Sequence, residues 1–518
     1  MPSLHWIWKD KVVNHHLEVP YRILQKQYIF GDAEKSENKI IHWDNLDALK
    51  SLLPEYEGKV KCIYIDPPYN TGNEWWVYND NVSDPKLKKW LHQVVGKEWE
   101  DLTRHDKWLC MMYPRLKLLN KLLAEDGAIF ISIDDNEQAN LKIIMDEIFW
   151  GNNFVANIIW QKKYTQSNDA KFFSWTHDFI VCYAKIKENF IVKWITRTQE
   201  QNDRYTNPDN DENWPYITQP LHAKSGKDKN FSYEFKNGYV WTPPAWTFPR
   251  FNLDALKKAE ENKRFWFWAK WDAIPRMKKY ISELSEGVIP KTIWLHEEVW
   301  HNDEARKTLK DIFQDNIFDT PKPPRLIERI LEISTNSWDI ILDSFAGSGT
   351  TAHAVLNLNK KDSGNRKFIL IETEDYAETI TAERVKRVIQ WYGTTEWTGG
   401  DFEYLTLGVP LMTEDGLLSS EASLSYIRAY ICYTETGSHI QDTPLVDHLY
   451  WLARSEDRDH YFYFERESIT VLDRDFLSTI VESQPYYTIW ADRCDLPLSF
   501  MKKEGITFRK IPRDIRNI

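Results

Sequence analysis

The sequence predicts an α/β fold with a mostly parallel sheet, because apolar strands and helices alternate in two separate stretches of the chain. In the first stretch, K-V-K-C-I-Y-I-D-P-P-Y (59–69) is an apolar, β-branched run that stops at two prolines, which predicts a buried strand followed by a rigid loop. Leucines at helical spacing and a closing Gly127 predict a helix over 114–127, and A-I-F-I-S-I-D (128–134) predicts a second buried strand. Strand, helix and strand in this order imply parallel neighbours.

The same pattern returns late in the chain. P-R-L-I-E-R-I-L-E-I-S-T (324–335) predicts a helix, D-I-I-L-D-S-F (339–345) a strand, and K-F-I-L-I-E-T (367–373) a further strand. Between these two strands, G-S-G-T-T-A-H-A-V-L-N-L-N-K (347–360) predicts a glycine turn that enters a helix. The chain therefore carries two α/β half-units that can contribute to one sheet.

Composition divides the 518 residues into four predicted domains. The segment between the half-units is polar and aromatic, with P-D-N-D-E-N-W-P and T-P-P-A-W-T-F-P as breakers of regular structure, so it predicts an inserted domain. The predicted boundaries are 1–190 for the first half-unit, 191–293 for the inserted domain, 294–400 for the second half-unit and 401–518 for a small C-terminal α+β domain.

The net charge of −12 conceals an uneven distribution. Residues 221–280 hold 13 Lys and Arg against 6 Asp and Glu, whereas residues 401–518 hold 12 against 20. A basic middle segment is typical of a surface that meets nucleic acid phosphates, although a solvated, lysine-rich helix face would give the same count.

The sequence predicts no membrane span, no disulfide bond and no metal site. No apolar run reaches the ~20 residues of a membrane span, and the opening residues lack the apolar core and cleavage site of a signal peptide, so we expect a cytoplasmic protein. The cysteines are far apart, in neither disulfide nor metal-ligand spacing, which predicts reduced thiols and no metal site: Cys62, Cys110, Cys182, Cys432 and Cys494.

A glycine turn follows the strand of the second half-unit, in D-S-F-A-G-S-G-T-T (343–351). Glycines there let the backbone pass close to a ligand, and the start of the next helix offers backbone N–H groups and the positive end of its dipole. Glu372 ends the following strand, 23 residues after Gly349, where an acid can accept hydrogen bonds from ribose hydroxyls. The pattern favours an adenosine-containing cofactor over a purely structural turn.

Asp66-Pro67-Pro68-Tyr69 is the sharper signal. The lone pair of an exocyclic amino nitrogen is delocalised into its ring, so a carboxylate and a carbonyl that accept its two N–H bonds would favour a nucleophilic, pyramidal nitrogen. Asp66 can supply the carboxylate and Pro67 the carbonyl, which two prolines hold still. Tyr69 offers a flat face for a base that has left the duplex. An ordinary turn after a strand is the structural alternative.

Two motifs in this order resemble a known family. I-D-P-P-Y-N-T-G (65–72) followed by L-D-S-F-A-G-S-G-T-T (342–351) is similar to the beta-class amino methyltransferases, in which the catalytic motif precedes the cofactor motif. M-Y-P-R-L-K-L-L, I-S-I-D-D-N-E, F-D-T-P-K-P and A-E-T-I-T-A-E-R-V resemble the modification subunits of type III restriction systems and their solitary relatives. The resemblance covers nearly the whole chain. It implies a Rossmann-like methyltransferase sheet with permuted motif order and S-adenosylmethionine as the cofactor.

The resemblance also implies roles for individual residues. Asp66, Pro67 and Tyr69 would hold the target base, and Pro68 would shape the loop. A second set would surround the cofactor, with Gly347, Gly349 and Thr350 at its methionine part, Glu372 at its ribose, Asp44 of H-W-D-N-L at its adenine, Lys322 of F-D-T-P-K-P at the border of the pocket, and Asp343 and Phe345 in the motif itself.

The function that the resemblance implies is transfer of a methyl group to N6 of an adenine flipped out of double-stranded DNA, at a specific site, within a restriction-modification system. The inserted domain corresponds to a target-recognition domain, and a homodimer and a helicase-nuclease restriction subunit are the implied partners. Cytosine N4 is the alternative acceptor; an aspartate at the start of the catalytic motif resembles the adenine enzymes. The alternative from another class is a non-catalytic DNA-specificity subunit.

Tryptophan is unusually frequent and glycine unusually rare, with 25 Trp and 19 Gly in the chain. Family sequences lead us to expect glycine at twelve positions where tryptophan stands, several of them turns or helix ends. These twelve positions, called the Trp/Gly positions below, are Trp8, Trp43, Trp75, Trp150, Trp214, Trp246, Trp268, Trp271, Trp300, Trp338, Trp391 and Trp397. We hypothesise that the source organism reads the opal stop codon as glycine, and that these codons were translated as tryptophan. Genuine tryptophans on an unusual surface are the alternative.

Overall fold

The computed structural model describes residues 4–31, 34, 36–71, 104–166, 170–213, 215–226, 231–267, 275–284, 287–391, 397–413, 415–437, 440, 446–481 and 484–513. The chain divides into two compact units, one of Met1–Val192 with Lys291–Ile518 and one of Lys193–Pro290.

The first half-unit supplies six strands. They are β1 (Arg22–Phe30), β2 (Lys39–His42), β3 (Val60–Ile65), β4 (Leu123–Ile133), β5 (Phe154–Gln161) and β6 (His177–Ala184). The helices are α1 (Lys9–Val12), α2 (His15–Glu18), α3 (Asn45–Tyr56), α4 (Arg104–Leu122) and α5 (Gln138–Phe149), with a 3-10 turn at Gly151–Asn153.

One local prediction in this half-unit is wrong. Gly127 does not close helix α4, which ends at Leu122; it lies within β4. A Cβ atom at Gly127 would lie 2.8 Å from the carbonyl oxygen of Lys61. The glycine is therefore required for the close approach of β4 to the start of β3, and it is not a helix cap.

The Lys193–Pro290 unit consists of short strands and two helices. Its strands are β7 (Ile195–Thr196), β8 (Tyr216–Pro220), β9 (His222–Ala223), β10 (Tyr233–Glu234), β11 (Val240–Trp241), β12 (Phe248–Pro249), β13 (Phe265–Trp266), β14 (Arg276–Tyr280) and β15 (Gly287–Val288). The helices are α6 (Gln199–Asp203) and α7 (Leu253–Glu261), and Ile281–Glu283 is a 3-10 turn. Its aromatic residues form a core of their own around Phe235 and Trp241.

The second half-unit returns to the first sheet. Residues 293–410 contribute the strands β16 (Ile293–Trp294), β17 (Ile340–Asp343), β18 (Lys367–Glu372) and β19 (Phe402–Pro410). β19 belongs to the central sheet, although it lies beyond residue 400, the predicted end of the second half-unit. The helices are α8 (His296–Val299), α9 (Asn302–Phe313), α10 (Pro324–Ser334), α11 (Thr350–Asp362) and α12 (Glu383–Gln390), with a 3-10 turn at Asp375–Ala377 and a π-helical turn at Glu378–Ala382.

The C-terminal part forms a smaller sheet of four strands, in the order β20, β21, β23, β25, and a two-stranded pair of β22 and β24. The strands are β20 (Trp451–Ser455), β21 (Arg458–Phe462), β22 (Val471–Leu472), β23 (Tyr486–Ala491), β24 (Arg493–Cys494) and β25 (Ile506–Lys510). The helices are α13 (Leu424–Thr436), α14 (Arg474–Ser478) and α15 (Leu498–Lys503).

Ten strands form the central sheet, in the order β1, β19, β2, β18, β17, β3, β4, β6, β5, β16. The six strands from β19 to β4 are parallel, whereas β1 and β6 run antiparallel to their neighbours. β17 of the second half-unit pairs with β3 of the first, with Leu342 opposite Ile63. The predicted α/β class with a mostly parallel sheet is therefore confirmed, and both half-units build one sheet.

Burial explains why β3 is apolar on both faces. Ile63 and Ile65 point into a core that includes Leu49 of α3 and Leu116 of α4. Successive side chains of a strand alternate between faces, so Tyr64 points to the other side, where it is 2% exposed. In the part of the chain that the structure describes, no helix is long and apolar enough to cross a membrane.

Four of the Trp/Gly positions adopt a backbone conformation that favours glycine. The φ angle is +70° at Trp8, +68° at Trp150, +66° at Trp246 and +65° at Trp300. Non-glycine residues rarely adopt positive φ, and bulky ones least of all. Among the described tryptophans outside the Trp/Gly positions, none has a positive φ. Trp75, Trp214, Trp268 and Trp271 lie outside the described residues.

We predict that Trp150→Gly and Trp246→Gly each raise the free energy of unfolding by about 1 kcal/mol, because glycine adopts positive φ without steric cost. Both side chains are mostly exposed, so little packing is lost. Trp175→Gly is the control, since Trp175 is also exposed and has no positive φ. Urea denaturation measures all three. Destabilisation by the first two substitutions, or ordinary tryptophan codons at these positions in the gene, would contradict the hypothesis.

Candidate active site

The two sequence motifs lie at the same edge of the central sheet. Asp66 follows the last residue of β3, and Asp343 is the last residue of β17. β3 and β17 are parallel neighbours, so the loops that leave their carboxyl ends start side by side. The carboxyl edge of such a sheet is where α/β proteins bind ligands.

The turn after β17 depends on its two glycines. Gly347 has φ +52° and Gly349 has φ +78°, and a Cβ atom on Gly349 would lie 3.0 Å from the carbonyl oxygen of Thr381. The hydroxyl of Thr381 donates to the carbonyl of Gly347 at 2.6 Å. Helix α11 starts directly after Gly349, so the positive end of its dipole lies at this turn.

Asp343 and Glu372 are buried carboxyl groups that hold the turn in place. Asp343 accepts hydrogen bonds from the Phe345 amide at 3.0 Å and from the Thr351 hydroxyl at 2.5 Å. Glu372 accepts from the amide of Gly347 at 2.7 Å. Burial raises the pKa of Asp343 to about 7 and that of Glu372 to about 7, although their hydrogen bonds act in the opposite direction.

A cavity joins the two motifs. The predicted cofactor residues Asp343, Phe345, Gly347, Thr350 and Lys322 line it, together with Tyr64, Asp66, Phe318, Thr320, Pro321, Ala346, Ser348 and Thr351. Gly349 shapes the turn beside it. The cavity therefore combines aromatic rings, the carboxyl groups of Asp66 and the buried Asp343, and the start of a helix.

Asp44 lies at the start of α3, on the neighbouring part of this edge. Its carboxylate caps the helix by accepting from the Leu46 amide at 2.8 Å, and it lies 3.3 Å from the guanidinium of the buried Arg115. The next residue, Asn45, donates to the carbonyl oxygen of Ser344 at 2.9 Å and so ties α3 to the loop after β17. Glu372 is thus bonded directly to the cofactor motif and Asp44 is connected to it through Asn45, whereas neither residue lines the cavity itself.

Lys322 connects the two motifs electrostatically. Its ammonium lies 2.5 Å from Oδ2 of Asp66 and 5.1 Å from the centre of the Tyr69 ring. The hydroxyl of Thr350 donates to the carbonyl oxygen of Lys322 at 3.2 Å. The sequence placed Lys322 only at the border of a cofactor pocket; its contact with Asp66 joins residues 256 positions apart.

The D-P-P-Y loop is held from two sides by residues that the sequence analysis did not single out. Trp108, which is fully buried, donates its indole N–H to the carbonyl oxygen of Pro68 at 2.7 Å. Asn70 has φ +58° and donates to Glu137 at 2.5 Å. Asn70 belongs to the motif I-D-P-P-Y-N-T-G and Glu137 to the motif I-S-I-D-D-N-E. Their positions in these two motifs could have identified them from the sequence.

A second cavity, of about 380 Å³, also borders Asp66. Its lining includes Pro67, Tyr69 and Thr71 of the loop, Asp134 after β4, Lys162, Lys163 and Asp178 at the β5–β6 connection, and Asn302, Arg306, Asp319 and Thr320. Asp66, Thr320 and Lys322 border both cavities. This volume is within the range of small-ligand sites.

Charge in the second cavity is balanced by close pairs. Lys162 lies 2.5 Å from the carboxylate of Asp178, which is almost fully buried. Burial raises the pKa of Asp178, and Lys162 acts in the opposite direction. Among the described residues, no cluster of His, Cys, Asp and Glu has the arrangement of a metal site.

A family model described as DNA methylase matches residues 60–383, which is more than half of the chain. The StyLTI Mod subunit of a type III restriction-modification enzyme from Salmonella typhimurium is 36% identical over 66% of this chain and 53% of its own length. The EcoPI Mod subunit of Escherichia phage P1 is 33% identical over 72% and 64%, respectively. The type II methyltransferase M.KpnI of Klebsiella pneumoniae is 29% identical over 66% and 81%.

This chain therefore spans about half to two thirds of the length of the type III subunits that it matches. The matched segment begins at the start of β3 and ends at the start of α12, so it contains Asp66, Lys322, Asp343 and Glu372. On this match, the chain belongs to the DNA methylase family.

Proposed function

We propose that this chain is an S-adenosylmethionine-dependent DNA methyltransferase that modifies N6 of an adenine flipped out of the duplex. The observation that carries the proposal is the common border of the two cavities. Asp66 faces the cavity beside the glycine turn and also the cavity beside Tyr69, so a carboxylate stands where a methyl donor and an acceptor base would meet.

The residues beside the glycine turn fit an adenosine cofactor with a methionine part. A Cβ at Gly349 would crowd Thr381, so only glycine keeps the turn in this shape. Phe345 supplies an aromatic surface, and the ionised forms of Asp343 and Glu372 can accept N–H and O–H donors. When bound, the cofactor supplies an electrophilic methyl group on its sulfonium.

The D-P-P-Y loop supplies the acceptors for an exocyclic amino group. The carbonyl of Pro68 already accepts from Trp108, whereas Pro67 lines the second cavity beside Asp66. We therefore assign the two N–H bonds of the target amino group to the Asp66 carboxylate and the Pro67 carbonyl. The ammonium of Lys322 is an N–H donor that lies 2.5 Å from Asp66 and above the Tyr69 ring. It therefore occupies the position that we assign to the target amino group.

Lys322 would then have to leave Asp66 when the base enters. The base would lie against the face of Tyr69, and the acceptors at its amino group would be fixed before it arrives, which is the condition for efficient electrostatic catalysis. The aspartate at the first position of the motif supports adenine as the base. The resemblance of the chain to type III Mod subunits supports a restriction-modification role.

We propose double-stranded DNA as the substrate and the cytoplasm as the compartment. The relatives named as Mod subunits of type III enzymes support a helicase-nuclease subunit as a partner, and a homodimer is part of the same proposal. We further propose that the Lys193–Pro290 unit reads the DNA sequence, which its basic stretch supports.

We predict that Asp66→Ala lowers the methylation rate constant by about 100-fold or more, because it removes a charged acceptor placed at the reacting nitrogen. Methyl-resolved sequencing of DNA from cells that express each protein measures the modification and identifies the site. Asp457→Ala, which removes an exposed carboxylate in the turn between β20 and β21, is the control. A single short motif with N6-methyladenine that depends on Asp66 is the expected result. Near-normal methylation by Asp66→Ala would contradict the role of Asp66, and no methylation by either protein would support the non-catalytic specificity subunit instead.

A second prediction concerns pH. The pKa of Glu372 is about 7, and ribose hydroxyls bind an ionised carboxylate more strongly than a protonated one. Cofactor affinity should therefore rise up to about tenfold between roughly pH 6 and pH 8. In Glu372→Gln the increase in cofactor affinity over this pH range should be smaller. Any titration of the cofactor itself affects both proteins equally, so it cancels when the variant is compared with the wild-type protein.

Isothermal titration calorimetry with S-adenosylmethionine measures this dependence. Asp375→Asn changes an exposed carboxylate three residues away and serves as the control. An identical pH dependence in the wild-type protein and Glu372→Gln would show that Glu372 does not contribute to cofactor binding.

A further inference from the structure

We propose that Phe172 and Phe173, in the connection between β5 and β6, form a wedge that enters the DNA duplex beside the target adenine and keeps the base out of the stack. The proposal rests on the proposed methyltransferase function, and it assigns the base-opening step to a specific surface. The observations that carry it are the exposure of the two rings, their attachment to the rim of the second cavity, and the charge around them.

Both rings are unusually exposed. Phe172 is 83% exposed and Phe173 is 85% exposed, although phenylalanine is normally among the buried residues. Two adjacent phenylalanines in this state indicate a surface that is covered when a partner binds. The ammonium of Lys171 lies 5.4 Å from the centre of the Phe172 ring.

The connection leaves the sheet at the edge where Asp66 lies. β4 and β6 are antiparallel, and so are β6 and β5, so the end of β5 and the start of β6 share the edge at which β3 and β4 end. Gln161 pairs with His177 as the last pair before the connection. Lys162, Lys163 and Asp178, directly beside this pair, line the cavity that also contains Tyr69.

The base of the connection is fixed to its surroundings. The amides of Lys162 and Lys163 both donate to the carbonyl oxygen of Thr176, at 2.9 and 3.2 Å. The Lys162–Asp178 ion pair and the contact of the Tyr164 ring with His296, at 5.1 Å between centres, fix it further. A wedge needs such support, because force against stacked bases must be transmitted to the protein body.

Duplex DNA is the occupant that this surface fits. Residues 162–176 carry three lysines and one aspartate, a charge that suits the phosphates beside a base step. Apolar side chains, phenylalanine among them, are inserted between base steps by proteins that unstack DNA. The cavity at the base of the connection is large enough to receive the base that such a wedge would displace.

The test uses the double variant Phe172→Ala/Phe173→Ala in the full chain, with two duplexes that contain the methylation site. In one duplex the target adenine is paired with thymine. In the other it faces an abasic position, so it is already unpaired and the energy needed to extrude it is lower. The variant is expected to lose at least tenfold in kcat/KM on the paired duplex and less than threefold on the abasic duplex.

Two further variants complete the test. Phe172→Tyr/Phe173→Tyr keeps the rings and is expected to restore most of the activity on the paired duplex. Leu449→Ala, which truncates an exposed apolar side chain in the C-terminal part, is expected to match the wild-type protein on both duplexes. Fluorescence of 2-aminopurine at the target position, which increases on unstacking, should rise less with the alanine variant at saturating protein.

Equal losses on the two duplexes would overturn the wedge and assign the phenylalanines to general DNA affinity or to folding. Wild-type rates on both duplexes would also overturn it, and a protein partner would then be the occupant of this surface. These outcomes leave the proposed function intact, because the wild-type protein methylates both duplexes. A wild-type protein that methylates neither duplex would contradict the proposed function and the wedge together.

Discussion

The pairing of β3 with β17 is the interaction on which the rest of the site depends. It places Leu342 opposite Ile63, although 279 residues separate them in the chain. From this pair, the D-P-P-Y loop and the glycine turn leave the sheet side by side, and both cavities form around them. The order of the two motifs along the chain has no influence on this geometry, because a parallel sheet requires only that the strands lie next to each other and that their connections can reach.

Charge pairing is the second constraint. Burial raises the pKa of Asp343 and that of Asp178, and a neighbouring carboxylate adds to the rise in each case, Asp66 beside Asp343 and Asp134 beside Asp178. The ammonium groups of Lys322, paired with Asp66, and of Lys162, paired with Asp178, act in the opposite direction. Breaking one such pair leaves an uncompensated charge, which is costly in a buried site. When a base enters, its neutral N–H donor would replace the ammonium of Lys322 at Asp66. The free energy of this replacement is therefore included in the binding free energy of the base.

The sequence predicts the parts of the structure that depend on local pattern. Apolar runs predicted β3, β4, β17 and β18, and the glycine turn was expected where φ is positive at Gly347 and Gly349. The contact of Lys322 with Asp66 could not be predicted from spacing, because it depends on where the segment before α10 crosses the edge of the sheet. The same applies to the indole of Trp108 on Pro68. Gly127 was misassigned because a glycine after a helix and a glycine between close strands look the same in sequence.

Positive φ angles at non-glycine residues have two different explanations in this protein. Asn70 adopts it in the D-P-P-Y loop, where asparagine tolerates the left-handed region and its side chain is bonded to Glu137. The strain there is small, and the bond makes it part of a rigid site. Trp246 adopts a similar φ angle, but its side chain is 97% exposed. It therefore makes too few packing contacts to offset the steric strain of the backbone. A conformation that persists without compensation is best explained if the backbone evolved with glycine at that position, whereas the conformation of Asn70 is explained by the loop it shapes.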